Sequence, residues 1–331
     1  MSGPVKMTRS NFGELMTPIH KKVFFEAYSD LPKVYVNTFG IDTMNKKQET
    51  FQHIGALGTW DTNTEGSDFN LDQLGQEQKV TFTATRYDKS YEVTWELMQD
   101  DQYRVFKGEG KGGSAKMMAR GLHATEESAA AAVIIGGFSN TGYDGEALFS
   151  DQHPTNEASD VDYPSSISPA AQSNLIEGGL SDAKLKEALT LLRLQRDDRG
   201  TLIATNAKKL VVSPEWEFTA RALINSTLQA GTNNNDINTV PALQIIVWNY
   251  LANDDSKPWY VQDDSIENLK FLWREKPIFD SEKIPNKMDY RFYGYCRFDC
   301  GYVDWHGLVG SAGIDSDGGG SDGGGGGDGQ E

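Results

Sequence analysis

Along the first thirty residues, Phe12, Leu15, Met16, Ile19 and Val23 recur at helical spacing, which predicts a helix over Asn11 to Tyr28. Asn11 and Glu14 resemble a capping box at its start, and Leu31-Pro32 stops it. From about Thr50 to Met98 two strand-like runs flank a polar middle, and the return run Lys79 to Thr85 is followed by Tyr91 to Trp95. The middle, Asp61 to Gln78, carries Glu65, Asp68, Asp72 and Glu77 and no lysine or arginine. This pattern predicts a thin two-stranded projection with an acidic tip, which buries little apolar surface alone and needs something to lie on.

A Gly-rich stretch, Gly108 to Ser114, opens the longest predicted helix, about Ser114 to Ile135, with an apolar stripe of Met117, Met118, Leu122, Ala129 and Val133. Beyond a turn-rich region, Ser181 to Arg199 reads as an amphipathic helix closed by Gly200. Lys209 to Val212 reads as a buried strand, and Ser213 and Pro214 cap a helix reaching about Asn225. Further strands are predicted at Leu243 to Trp248, Pro258 to Val261 and Leu269 to Arg274, with a hairpin-like turn at Asn253-Asp254-Asp255. The longest strand, Tyr290 to Val303, alternates Phe292, Gly294, Cys296, Phe298 and Cys300 with Arg291, Tyr293, Tyr295, Arg297 and Asp299. Helices and strands mix without regular alternation, so the expected class is α+β. After Ser311 the chain is almost only Gly, Asp and Ser, a composition that cannot form a core, so 314–331 are expected to be disordered.

Charge narrows the function. The formal net charge is -17, whereas nucleic-acid and anionic-membrane surfaces select for clustered Lys and Arg. No window reaches a membrane span, and the first ten residues lack the apolar core of a signal peptide. Cys296 and Cys300 lie four apart in a strand, about 13 Å between Cα atoms by strand rise, beyond the roughly 7 Å reach of a disulfide. Two free thiols suit a reducing compartment.

Candidate chemistry fails in detail. Lys111 precedes the paired glycines, so the Gly108 to Ser114 loop lacks the phosphate-loop order. His123, Glu126 and Glu127 on one helix lack the second histidine of a metal motif, and they read as a solvated face. Asp151-Gln152-His153-Pro154 reads as a turn without a nucleophile elbow. Asp315 to Gly318 lacks the closing Glu of a calcium loop. Neither an enzymatic function nor a cofactor or metal is expected; a self-assembling structural protein is.

Three separated stretches carry a resemblance. Tyr87-Asp88-Lys89-Ser90-Tyr91-Glu92-Val93-Thr94-Trp95-Glu96-Leu97-Met98, then Asp144-Gly145-Glu146-Ala147-Leu148-Phe149-Ser150 with His153-Pro154, then Gly301 to Ser311, together resemble the major head subunits of Mu-like tailed phages. The resemblance implies an HK97-like capsid fold. In it 1–50 would form the N-arm, 51–98 the extended E-loop, 99–154 with 286–313 the peripheral domain, and 155–285 the axial domain. The helix 114–135 would be the spine helix. It implies hexamers and pentamers closing into an icosahedral virion shell around packaged double-stranded DNA, which is enclosed without sequence-specific binding. Assembly would occur in the host cytoplasm, away from any membrane. Portal and decoration proteins are further expected partners. A self-scaffolding extension of roughly a hundred residues finds no room before the N-arm, so a separate scaffolding protein is expected. No lysine lies between Trp60 and Gln78 to form an isopeptide crosslink. Because the E-loop of the resembling family crosses a neighbouring subunit near its spine helix, Glu65, Asp68, Asp72 and Glu77 are expected to dock on Lys107, Lys111, Lys116 and Arg120 of that neighbour. A tail-tube or decoration protein is the alternative, and the long spine-type helix speaks against a mostly β tube subunit.

Overall fold

A computed structural model describes residues 13–54, 60, 62–69, 71, 76–100, 113–154, 171–197, 200–228, 237–252, 257–284, 287 and 289–313. In chain order its helices are α1 (Gly13–Ser29), α2 (Trp95–Gln99), α3 (Ser114–Gly136), α4 (Asp182–Leu194) and α5 (Glu217–Asn225). Its strands are β1 (Gly40–Thr43), β2 (Gln48–Ile54), β3 (Gln76–Thr83), β4 (Thr85–Val93), β5 (His153–Pro154), β6 (Ala171–Gln172), β7 (Lys209–Val212), β8 (Gln244–Val247), β9 (Trp259–Gln262), β10 (Leu269–Lys283), β11 (Tyr290–Tyr302) and β12 (Leu308–Ser311). The chain divides into two compact units, Met1–Ile54 with Gln76–Ile134 and Glu267–Asp304, and Gly55–Gly75 with Ile135–Ile266 and Trp305–Glu331.

The first unit is built on a sheet of order β1-β10-β11-β4. The alternation read from the sequence holds in β11, where Phe292, Cys296 and Phe298 are buried. On the opposite face Arg291 bonds Glu92, with Nη2 2.6 Å from the carboxylate. Strand β10 runs nine residues past the predicted end at Arg274. Its pairing with β11 shifts register between Trp273 and Glu275 and again between Glu275 and Ile278, around Pro277, which has no N–H to give to a ladder. Helix α1 lays Phe24 on this sheet, stacked 4.6 Å from Phe279. Ala115 and Ala119 of α3 are fully buried beside it, their small side chains allowing close approach. Strands β2 and β3 pair antiparallel as the predicted two-stranded arm. Strand β4 leaves the arm and pairs with β11 along nine residues.

The second unit carries a sheet of order β12-β9-β7-β8, packed with Leu185, Leu189 and Leu192 of α4 around Leu210, Val212, Trp259 and Val309. Several expectations are corrected here. Strands β8 and β9 are not a hairpin, because β7 lies between them, parallel to β8 and antiparallel to β9. The turn at 253–255 itself lies outside the described residues. Helix α4 ends at Leu194 rather than Arg199: Gln195 is buried, donating to the Leu308 carbonyl at 3.1 Å and accepting from the Gly307 N–H at 2.8 Å. Ser213 makes no side-chain cap, and a 3-10 turn, Pro214–Trp216, precedes α5. The unit boundaries also differ from the domain bounds read in the sequence. Residues 267–285 join the first unit because β10 pairs with β11 throughout, and 305–313 join the second because β12 pairs with β9.

Candidate assembly interface

The tip of the β2–β3 arm is a hydrogen-bonded turn. The Asn63 side chain donates to the Asp68 carbonyl at 2.6 Å and accepts from the Thr64 N–H, while the Thr64 and Ser67 hydroxyls meet at 2.7 Å. Gly66 supplies the left-handed backbone, φ 87°, that this reversal requires. Glu65 and Asp68 are exposed here. So are Trp60, Phe69 and Leu71, each at least 95% accessible, where a soluble monomer rarely gathers large apolar side chains.

At the start of α3, Lys116 is half-buried, and Arg120 and Met117 are exposed. No ion pair within the chain engages Glu65, Asp68, Lys116 or Arg120 among the described residues. Asp72, Lys107 and Lys111 lie outside the described residues, and Glu77 is described only as a position on β3.

Further along α3 the sequence reading is wrong. Glu126 and Glu127 are fully buried, not a solvated face. Glu126 accepts the Tyr28 hydroxyl on Oε1 and the Tyr35 hydroxyl on Oε2 at 3.1 Å, and Lys33 Nζ stands 3.4 Å from Oε2. Lys33 also sits 3.6 Å over the Tyr28 ring. Glu127 accepts the Val34 N–H at 2.6 Å, and His123 Nε2 lies 2.8 Å from the Pro32 carbonyl. The helix thus clamps 28–35, and its carboxylates serve groups that would otherwise be buried unpaired. Burial raises the Glu126 carboxyl above its ordinary range, with the Tyr28, Lys33 and Tyr35 contacts opposing that shift. Burial and the nearby Glu126 carboxylate push both phenols up. Burial, with a smaller contribution from Glu126, pushes the Cys296 thiol up to about 12. Both cysteines are free.

The Asp151 to Pro154 segment is likewise more than a turn. His153 is buried on β5, its Nδ1 2.6 Å from Asp144 Oδ2 and its Nε2 3.1 Å from Asn174 Oδ1. That Asn174 oxygen also accepts the Ser150 N–H, while its Nδ2 donates to the Leu148 carbonyl. An oxygen thus stands within hydrogen-bond distance of each ring nitrogen of His153, which fixes the orientation of the imidazole. Trp305 stacks flat on His153 at 4.1 Å and on His306 at 3.9 Å. The Phe149 ring lies over Gly310, where an added Cβ would come within 2.7 Å. The second and third of the stretches that carried the resemblance therefore pack on each other as a structural lock. Among the described residues no group of acidic, histidine or cysteine side chains is arranged to hold a metal ion, and no helix is long and apolar enough to cross a membrane.

Comparison with known proteins agrees with an assembly role. Residues 77–311 match a family model described as phage capsid protein. No curated relative matches the chain by sequence. Among solved structures it is similar to the capsid of cyanophage P-SCSP1u, with TM-score 0.57 and 9% identity over 86% of this chain and 89% of that one. It is also similar to the capsid of a native GTA particle, with TM-score 0.52 and 11% identity over 86% and 91% of the two chains. The procapsid of bacteriophage JBD30 gives TM-score 0.51 and 17% identity over 92% and 76%.

Proposed function

We propose, from the premise that this chain belongs to the phage capsid protein family and has the HK97-like fold, that its copies form hexamers and pentamers closing into an icosahedral shell around double-stranded DNA. The family match over residues 77–311 carries this reading. In it the β2–β3 arm acts as the E-loop, α3 as the spine helix, the sheet around β10 and β11 as the peripheral domain and the sheet around β7 and β9 as the axial domain. The net charge of -17 supports a wall that encloses DNA without gripping it, which favours packaging and ejection. A scaffolding protein, a portal and decoration proteins complete the assembly, which proceeds in the host cytoplasm and ends in the virion.

Neighbouring copies grip one another through the acidic tip and the basic start of α3. The exposure of Glu65, Asp68 and Arg120 supports this pairing. The partial positive charge at a helix N-terminus, about half a unit, adds to it. Each exposed pair contributes about 0.2 to 1 kcal/mol, so repetition around every capsomer makes the sum matter. Negative-stain microscopy of the chain expressed with its scaffold tests the assignment: closed shells are expected, and discrete folded monomers overturn it. Reversing Glu65, Asp68 and Asp72 to Lys should impair assembly at low salt, and adding Lys111, Lys116 and Arg120 reversed to Glu should partly restore it.

A further inference from the structure

Met118, Gly121, Leu122 and Thr125 recur at helical spacing on α3 and form one side of an open groove of about 290 Å³ in the first unit. The sheet supplies the other side through two cross-strand pairs, Gly294 of β11 with Lys89 of β4 and Cys296 with Tyr87. Two of these positions lack a side chain, for different reasons. A Cβ on Gly294 would come within 3.0 Å of Met118, so helix packing accounts for that glycine. A Cβ on Gly121 meets nothing within 4 Å, although glycine weakens a helix relative to alanine. The space over Gly121 is therefore kept at the expense of the helix.

We infer that this groove binds a small organic monoanion, a medium-chain carboxylate, with its acid against Lys89 and its apolar body over Gly121 between Leu122 and Cys296. Alternation along β4 decides the sign of the charge. Lys89 shares the groove face with Gly294 and Cys296, is exposed, and has no ion pair among the described residues. Arg86 and Asp88 belong to the opposite face and reach only the rim, where they bond each other at 3.1 Å and Arg86 lies 5.2 Å over the Tyr295 ring. One uncompensated positive charge thus stands beside an otherwise apolar lining. Volume decides the size. At roughly 30 Å³ per water the groove holds about ten waters, the bulk of a chain of about that many non-hydrogen atoms. The flexible thioether of Met118 suits such a chain, because it can follow the ligand's contour. This assignment does not depend on the capsid reading.

Octanoate is the probe, with octanol as its uncharged counterpart, each titrated by calorimetry into the full, unassembled chain. Octanoate is expected to saturate a single site, in the roughly micromolar to millimolar range open to so few atoms. Gly121→Leu fills the groove, projects into open space and improves helix propensity, so it should abolish binding while its thermal midpoint equals or exceeds the parent's. Lys89→Met should weaken octanoate by about tenfold, the effect of losing one charge-assisted contact, and leave octanol unchanged. The inference is overturned if the parent shows no saturable binding, if folded Gly121→Leu binds as the parent does, or if octanol matches octanoate on the parent. Assembled shells should bind octanoate too. If they lose the binding that unassembled chains show, another chain holds the groove and the small-molecule assignment falls. None of these outcomes bears on whether shells form, so the capsid reading stands or fails separately.

Discussion

Two stretches of α3 less than three turns apart treat charge in opposite ways. Around Lys116 and Arg120 the side chains have no ion pair among the described residues, while at Glu126 and Glu127 every carboxylate oxygen named above is committed to the segment 28–35. The first pattern suits a surface that another chain completes; the second suits a joint finished before assembly. Periodicity cannot separate them, because both lie on the same helix at ordinary spacing. What separates them is whether the fold lays backbone and phenols against that turn.

Removing a finished joint should do the most damage. Glu126→Ala leaves Lys33 and the Tyr28 and Tyr35 hydroxyls without their acceptor, and should lower the unfolding free energy by about 3–5 kcal/mol in denaturant titrations. Glu126→Gln keeps the shape and isolates the charge. Because the Glu126 pKa is raised in the folded state, its linkage contribution is fully present below the ordinary carboxylate pKa and is lost as pH rises through the folded value. The stability of the unmodified chain relative to Glu126→Gln should therefore decline over that window, and parallel profiles would contradict the assignment.

The lock around Phe149 should come next. Gly310→Ala forces a methyl group against the ring and should cost about 1–3 kcal/mol, read as a lowered thermal midpoint, with Phe149→Leu as the partial compensator. By contrast, Lys116→Glu with Arg120→Glu should move the stability of the unassembled chain by no more than about 0.5 kcal/mol while changing assembly. An equal loss in both measurements would erase the distinction between the two stretches. The smallest effects concern passive groups. The Cys300 thiol, like that of Cys296, is pushed up to about 12 by burial, with nearby Asp299 adding to it. Both should resist alkylation at pH 8 in the folded chain and react after unfolding, as mass spectrometry would record. Deleting the residues after Gly313 should leave shell yield unchanged, since a Gly, Asp and Ser segment offers little apolar surface to bury.

Local pattern was sufficient for much of the architecture. The alternation in β11, the helical stripe of α3, the buried run of β7 and the polar reversal between β2 and β3 are set by side-chain spacing within one element, so they were legible residue by residue. Family membership was legible for a related reason: two of the three stretches that carried it are the packing residues of one lock. Tertiary structure alone decided that β7 separates β8 from β9, that β12 belongs to the second unit, and that Gln195 cuts α4 short. It also decided that Glu126 and His153 are buried and that open space stands over Gly121. Each of these depends on groups tens to hundreds of residues apart meeting in space. A carboxylate reads the same in sequence whether water or a tyrosine hydroxyl is waiting for it.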